Sequence, residues 1–272
     1  MTAFIKMHGL GNDFIVLDAR EPSNGIPDVI DRALAIALAD RHFGIGCDQI
    51  LVIRPSRQAD VFLQILNSDG SEAMACGNGT RCVADYLMKK NNLKSLIIES
   101  ISNELFCFKT DNSVTVNMGV PKFSWNEIPL SKEQDTQNVK LDEFEAFCLS
   151  IGNPHAVIFI NSLEELENLN INSIGPRLEK HSIFPEFANI EFVSVLEDKS
   201  LRMRVWERGA GMTSACGSGA CATLVAASSL DKSAKENKIV LDGGNLFIKW
   251  LDNGSVTLSG DTEKVFEGFI GE

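Results

Sequence analysis

A short pattern occurs twice in this chain, and the repeat constrains the fold more than any other feature. The sequence "ACGNG" begins at Ala75, and "ACGSG" begins at Ala215, so that Cys216 follows Cys76 by 140 residues. Each copy is followed by a run predicted to be helical. The glycines let the backbone turn tightly before that helix. Both cysteines are therefore predicted to lie at helix N-termini.

Other polar positions recur at nearly the same spacing, about half the length of the chain. Those at 140 or 141 residues are Gln49 with Asn189, Asn67 with Glu207, and Asn12 with Asn153. A fixed period over several positions is the signature of an internal repeat. The sequence therefore predicts a duplication into two similar halves.

The coarse pattern of each half is rich in strands and poor in helices. Short apolar runs such as "QILVIR" and "LRMRVWE" alternate with turn signals and have a period near two. Helices are predicted at Pro27 to Asp40, Thr80 to Asn91, residues 220 to 230 and the charged run "SLEELENL". Each half is predicted to be an α+β domain with its sheet around one buried helix. The polar, proline-containing segment from Pro121 to Glu145 is the predicted crossover between the halves.

Composition excludes several classes of partner. The 272 residues are 44% hydrophobic and 23% charged, with a net charge of −12. So negative a surface disfavours nucleic acid and anionic membranes as partners. The N-terminus lacks the apolar core of a signal peptide, and no apolar run approaches the length of a membrane span. These features predict a cytoplasmic protein that acts on a small molecule.

The cysteines predict free thiols and no metal site. There are seven, an odd number, with no CxxC pair, and the four histidines are scattered. The run "GNGTR" also lacks the lysine of a phosphate-binding loop, so no cofactor is expected.

The helix ends suggest the chemistry. A helix N-terminus favours negative charge, which predicts a lowered thiol pKa at Cys76 and Cys216. If the two halves face each other across a cleft, their first-turn amides could hold one carboxylate between the thiols. An acid and a base on opposite faces of one carbon would invert a stereocentre. The developing negative charge would be stabilised by those amides.

Six segments closely resemble the diaminopimelate epimerase family, in the expected order over nearly the whole chain. They are "KMHGLGNDFIVLDA", "RHFGIGCDQIL", "NSDGSEAMACGNGTRC", "SIGNPHAV", "ANIEFV" and "WERGAGMTSACGSGACA". The resemblance implies interconversion of LL- and meso-diaminopimelate without a cofactor, for lysine and peptidoglycan synthesis. It also implies two pseudo-symmetric domains, each a barrel-like, mostly antiparallel sheet around a central helix. The implied domains are residues 1–121 with 264–272, carrying Cys76, and residues 122–263, carrying Cys216, with the active site in the cleft between them.

The resemblance also implies roles for individual residues. Cys76 is the proton donor and Cys216 the acceptor in the LL-to-meso direction, and the family pattern gives Glu207 and His155 supporting catalytic roles. The reacting carboxylate is implied to bind the amides of Gly77, Asn78, Gly217 and Ser218. The remaining polar contacts to the substrate are implied to be Asn12, Gln49, Asn67, Asn153, Asn189, Glu207 and Arg208. An arginine fork suits a carboxylate, and Glu207 suits an ammonium group.

Two alternatives remain open on the sequence. A proline or hydroxyproline racemase of the same fold would use the same thiols, although the proline-type motif has histidine where this chain has Asn78. A redox sensor would use Cys76 and Cys216 as a regulatory disulfide. The family resemblance also implies a homodimer, with Phe266 where some relatives place an interface tyrosine.

Overall fold

The computed structural model describes residues 1–74, 76–110 and 113–271. The helices of these residues, besides a short 3-10 turn at Pro22–Asn24, are α1 (Arg32–Ala39), α2 (Gly77–Asn91), α3 (Leu163–Asn168), α4 (Ile171–Glu179) and α5 (Gly217–Ser229). Their strands are β1 (Thr2–Gly9), β2 (Asn12–Asp18), β3 (Gln49–Arg54), β4 (Val61–Asn67), β5 (Glu72–Ala73), β6 (Ser95–Glu99), β7 (Glu104–Lys109), β8 (Val114–Asn117), β9 (Val139–Leu141), β10 (Phe144–Ser150), β11 (Pro154–Phe159), β12 (Asn189–Val195), β13 (Leu201–Glu207), β14 (Gly211–Thr213), β15 (Glu236–Leu241), β16 (Gly244–Trp250), β17 (Val256–Gly260) and β18 (Glu263–Ile270).

The predicted helices are present, but their starts differ from the prediction. Helix α1 begins at Arg32 rather than Pro27, because the Asp31 side chain accepts a hydrogen bond from the Leu34 amide (2.8 Å) and caps the helix there. Helices α2 and α5 begin earlier than predicted, at Gly77 and Gly217. The glycines of the repeated pattern are thus the first turn of each helix rather than a turn before it.

Helix α4 was not predicted, because Gly175 and Pro176 in its interior are poor helix formers. Tertiary packing accounts for the glycine. A Cβ atom at Gly175 would lie 2.4 Å from Cδ2 of Trp206, so only glycine lets the helix approach the indole ring this closely.

The chain divides into two compact units. The N-terminal unit comprises Met1–Val116 and Gly260–Glu272, and the C-terminal unit comprises Asn117–Ser259. These limits lie within a few residues of the predicted boundaries.

Within the N-terminal unit, β18, β1 and β2 pair antiparallel, and β2 then pairs parallel with β3. Strand β3 pairs antiparallel with β4, which contacts β5 antiparallel and β6 parallel. Strands β6, β7 and β8 complete the ladder in antiparallel order.

The C-terminal unit repeats this ladder strand by strand. Strands β9, β10 and β11 pair antiparallel, and β11 pairs parallel with β12. Strand β13 pairs antiparallel with β12 and β14 and parallel with β15. Strands β15, β16 and β17 complete the ladder in antiparallel order. The two parallel steps fall at the same places as in the N-terminal unit, so the repeat extends from the sequence to the sheet.

One helix is central to each sheet. Helix α2 packs against β1, β2, β3, β6 and β7, and α5 packs against β10 to β13, β15 and β16. Most strands along each ladder therefore contact the same helix, so each sheet curves around it. The α+β prediction of a mostly antiparallel sheet around a helix is confirmed.

The predicted crossover from Pro121 to Glu145 is not wholly irregular. It contains β9 and the start of β10, and Ile128, Leu130, Val139 and Leu141 lie in the hydrophobic core of the C-terminal unit. Among the described residues, the helices lack the length and apolar character that a membrane span requires.

Candidate active site

Cys76 caps the N-terminus of α2 in the N-terminal unit. Its backbone is extended, and its Sγ accepts a hydrogen bond from the Gly79 amide at 3.3 Å. The Oδ1 atom of Asn12 lies 3.9 Å from that sulfur and accepts a hydrogen bond from Asn78 Nδ2 at 3.4 Å. Three predicted site residues therefore meet at one helix end.

Two further predicted amides form a pair on neighbouring strands. Gln49 begins β3, Asn67 ends β4, and the two residues are directly opposite in the ladder. Gln49 Nε2 donates to Asn67 Oδ1 (2.9 Å), and Asn67 Nδ2 donates to Ser71 Oγ (3.0 Å). These contacts fix the direction in which each side-chain amide points its oxygen acceptor and its nitrogen donor. Together, Asn12, Gln49, Asn67, Cys76 and Asn78 are called the Cys76 cluster below.

An ionic network that the sequence analysis missed supports Asn12. Asn12 Nδ2 donates to Asp48 Oδ2 (2.9 Å), and Arg41 Nη2 bridges Asp48 Oδ1 and Asp13 Oδ1, each at 2.7 Å. Burial would raise the pKa of Asp13, but hydrogen bonds and charge from Arg41 and Lys6 lower it to about 2. The signal was present in the sequence as an acidic residue next to each predicted amide, in "GND" and "CDQ".

Cys216 caps α5 in the C-terminal unit at the place equivalent to Cys76. Its side chain is buried, and its Sγ lies 3.6 Å from Ser218 Oγ. Asn153 Nδ2 donates to the same hydroxyl at 3.4 Å. Glu207, at the end of β13, accepts a hydrogen bond from Thr213 and is hydrogen-bonded to the Cys216 thiol.

The prediction of a lowered pKa for the Cys216 thiol is wrong. Burial raises the pKa of this thiol well above its ordinary value, and the nearby carboxylates of Glu207 and Glu191 raise it further. The Gly219 amide in the first turn of α5 opposes this rise without reversing it. Burial also raises the pKa of Glu207, although Cys216 and Thr213 lower it in part. The helix end is present as predicted, but desolvation and two anions outweigh it.

His155 lies fully buried between two partners. Its Nδ1 is 2.7 Å from Glu191 Oε1, and its Nε2 is 2.9 Å from Asn153 Oδ1. The Asn153 amide is thereby held with its oxygen toward the imidazole and its nitrogen toward Ser218. His155 therefore connects to Cys216 through Asn153 and Ser218.

The remaining predicted residues of this unit lie at the start of β12 and just after β13. Asn189 Nδ2 donates to the Pro154 carbonyl (2.9 Å), and Asn189 Oδ1 accepts from the Arg208 amide (3.0 Å). Arg208 Nη1 donates to the Glu186 carbonyl (3.1 Å). Asn153, His155, Asn189, Glu207, Cys216 and Ser218 are called the Cys216 cluster below.

The residues predicted to bind the reacting carboxylate occupy first turns. Gly77 and Asn78 begin α2, and Gly217 and Ser218 begin α5. The dipole of a helix favours an anion at these positions.

Sequence reasoning missed Glu191. It is the one charged residue in the run "NIEFVSV" of β12, and its side chain is fully buried. A single carboxylate in a buried strand was the available signal, because buried charges are rare unless they are paired.

Comparison with known proteins identifies the family to which this chain belongs. The family model described as diaminopimelate epimerase matches residues 4–124 and 147–265. A diaminopimelate epimerase of Rhodospirillum centenum is 46% identical over 99% of this chain and 92% of its own length. One from Carboxydothermus hydrogenoformans is 42% identical over 97% of this chain and 98% of its own.

Solved structures share the fold at low sequence identity. A phenazine biosynthesis protein of the PhzF family from Bacillus anthracis has a TM-score of 0.71 at 16% identity, covering 100% of this chain and 99% of its own. A probable proline racemase from Agrobacterium radiobacter has a TM-score of 0.69 at 12% identity, covering 100% of this chain and 93% of its own. At these identities the likeness concerns the fold alone.

Proposed function

Because this chain belongs to the diaminopimelate epimerase family, we propose that it interconverts LL- and meso-2,6-diaminopimelate by proton transfer at the α-carbon. The reaction supplies precursors of lysine and peptidoglycan. The observation that carries the proposal is the equivalence of Cys76 and Cys216, which cap the central helices of two units with the same ladder. A pair of equivalent thiols suits a reaction that removes a proton from one face and adds one to the other.

In the LL-to-meso direction Cys216 is the base and Cys76 the acid. The Cα–H bond breaks, its proton forms an S–H bond on Cys216, and its electron pair moves toward the carboxylate. The S–H bond of Cys76 then breaks as a new Cα–H bond forms on the opposite face. The charge lost at one sulfur appears at the other, so the step needs no external oxidant or reductant.

Glu207 prepares Cys216 for this role. The buried thiol has a raised pKa, so it must lose its proton before it can act as a base. The hydrogen-bonded carboxylate of Glu207, whose pKa is also raised, is a suitable acceptor. The raised pKa also makes the resulting thiolate a strong base, as removal of an α-proton requires.

The reacting carboxylate binds the first turns of α2 and α5, through the amides of Gly77, Asn78, Gly217 and Ser218. Donors that are fixed before the reaction stabilise the negative charge developing in the transition state at no cost of reorganisation. The other polar contacts of the substrate are Asn12, Gln49, Asn67, Asn153, Asn189, Glu207 and Arg208. The Arg208 guanidinium, anchored on the Glu186 carbonyl, provides a planar donor for a carboxylate.

Proton NMR of the reduced protein with LL-diaminopimelate in deuterium oxide tests the function. We expect the wild type to exchange the α-proton and form the meso isomer, and C76A and C216A to lose epimerisation. C107A is the matched control, because Cys107 is a buried thiol on β7 outside both clusters. Exchange of proline instead of diaminopimelate would overturn the substrate assignment. If no amino acid exchanges but a reversible Cys76–Cys216 disulfide forms, the redox alternative replaces the enzyme.

The proposal extends to a cytoplasmic homodimer. The seven thiols suit a reducing compartment. Strand β18 exposes Val265, Phe266 and Phe269, with Phe266 packed edge-on against Phe4, and these side chains offer an apolar surface to a second copy. Light scattering tests this through the molar mass in solution. We expect the mass of a dimer for the wild type and a shift toward the monomer for F266E, and a wild-type monomer would contradict the proposal.

A further inference from the structure

The C-terminal unit contains a buried titratable pair at a place where the N-terminal unit has two apolar side chains. His155 and Glu191 are both fully buried, and their Nδ1 and Oε1 atoms are 2.7 Å apart. At the equivalent positions the N-terminal unit has Phe14 and Leu51, which are also fully buried. The fold therefore accepts an apolar pair at this place.

The register of the two ladders establishes the equivalence. Phe14 is the parallel partner of Gln49 between β2 and β3, and His155 is the parallel partner of Asn189 between β11 and β12. Leu51 and Glu191 follow those partners by two residues, so they point to the same side of their strands.

The contacts with the central helices agree. A Cβ atom at Gly79 would lie 2.9 Å from Leu51 Cδ2 and 3.4 Å from Cys76 Sγ. A Cβ atom at Gly219 would lie 2.7 Å from Glu191 Oε1 and 3.3 Å from Cys216 Sγ. Glu191 thus places a carboxylate oxygen against the first turn of α5, beside the catalytic sulfur, where Leu51 places a methyl group.

The pair also orients an amide differently in the two clusters. Asn12 turns its oxygen toward Cys76 and Asn78, while its nitrogen donates to Asp48. Asn153 turns its oxygen toward His155 and its nitrogen toward Ser218. His155, held by Glu191, places its Nε2 atom 2.9 Å from the Asn153 oxygen, whereas Phe14 at the equivalent place in the N-terminal unit has no polar side-chain atom to offer Asn12.

Stability gives no reason for this arrangement. Among the described residues, Glu191 Oε2 has no hydrogen-bond partner although it is buried. A buried polar pair with an unsatisfied oxygen is often no more stable than an apolar pair of similar volume. An unsatisfied buried carboxylate therefore points to a functional role.

We propose that Glu191 is a positioning residue for proton transfer at Cys216: it holds His155 in one orientation, and His155 holds the Asn153 amide against Ser218 in the first turn of α5. The inference rests on the proposed function for its effect on turnover, but not for its effect on the thiol. Glu191 adds to the electrostatic difference between the two thiols that Glu207, at the place of Asn67, already creates.

The titratable groups that influence Glu191 come from several elements. They are His155 on β11, Cys148 on β10, Glu207 on β13 and Cys216 at the start of α5. Removing the Glu191 charge must therefore change the ionisation of Cys216 directly, and that of Glu207 with it. Cys148 is fully buried with a pKa raised by burial, so it stays protonated at neutral pH.

The test compares E191Q with the wild type in the full chain. Glutamine has nearly the same shape as glutamate but carries no charge. Without substrate, the rate of alkylation of Cys216 by iodoacetamide is measured against pH by peptide mass spectrometry. We expect the E191Q profile to move to lower pH, because loss of a neighbouring anion favours the thiolate. Turnover of LL-diaminopimelate should fall about tenfold in kcat, with KM within about twofold of wild type.

Two further variants separate positioning from folding. D85N removes another buried carboxylate, which pairs with Lys89 on α2, and should leave the Cys216 profile unchanged. H155F/E191L installs the apolar pair of the N-terminal unit and should stay folded in thermal melting while kcat falls. If E191Q does not fold, the Cys216 alkylation profile of this double variant tests the role, and we expect that profile to move to lower pH as well.

The outcomes distinguish the two proposals. An unchanged alkylation profile together with kcat within twofold of wild type in E191Q overturns the role of Glu191. A wild type without activity on diaminopimelate overturns the proposed function alone, and the alkylation profile still decides whether Glu191 acts on Cys216. A double variant that is folded and fully active also overturns the role.

Discussion

A Cβ atom added at Gly219 would lie 2.7 Å from Glu191 Oε1, closer than Cβ atoms approach a neighbouring atom in real structures. Glycine at this position lets the carboxylate rest against the first turn of α5, next to the Cys216 sulfur. The equivalent glycine, Gly79, faces a methyl group of Leu51 instead. The same helix start is therefore built around an anion in one unit and around an apolar side chain in the other.

Gly219→Ala should damage the protein more than Gly79→Ala. Alanine has a higher helix propensity than glycine, by about 1 kcal/mol, and this difference stabilises both variants equally. At Gly219 the new methyl group must displace a carboxylate tied to His155, whereas at Gly79 the end of a leucine side chain can rotate. We expect G219A to have the lower melting temperature and the lower kcat. Equal melting temperatures and equal kcat for the two variants would contradict this.

Glu207→Gln should change both the rate and its dependence on pH. The Glu207 carboxylate raises the pKa of Cys216, so its removal should lower that pKa and shift Cys216 alkylation to lower pH. Loss of the acceptor for the thiol proton should reduce kcat about 100-fold. The control is E236Q, which removes an exposed carboxylate paired with Lys249. A normal kcat in E207Q would exclude Glu207 as the proton acceptor.

Asp18→Asn should reduce stability at neutral pH and not in acid. Asp18 is buried, which would raise its pKa, but hydrogen bonds from Arg20 and Lys90 lower the pKa to about 2. A folded-state pKa below the unfolded-state value stabilises the folded protein at pH values above the unfolded-state pKa. This stabilisation is lost as the pH falls from about 4 to about 2. Urea unfolding should show a loss of about 2 kcal/mol in D18N at neutral pH.

The difference between D18N and the wild type should shrink as the pH falls toward about 2, where the folded-state Asp18 is half protonated, and vanish below that pH, where both side chains are neutral. The exposed Asp28 provides the control, since D28N removes a surface carboxylate from the same unit. A difference that persists unchanged in acid would show that packing, rather than charge, explains the effect.

The sequence determined the repeat and its consequences for the backbone. The spacing of "ACGNG" and "ACGSG" located both helix starts to within a few residues, because glycine and the apolar pattern act locally. Gln49 and Asn67, chosen from the repeat, lie directly opposite each other in the ladder. Helix α4 was missed, because its interior glycine disfavours a helix locally, and the close approach to Trp206 that requires glycine involves a residue distant in the chain.

Only the tertiary structure decided the electrostatics of the thiols. Cys76 and Cys216 have nearly the same local sequence, which predicted the same lowered pKa for both. The fold instead buries Cys216 beside Glu207 and Glu191, and its pKa is raised. The physical reason is that a helix end acts through adjacent residues, whereas desolvation and neighbouring charge depend on distance and burial, which strands far apart in the sequence create together.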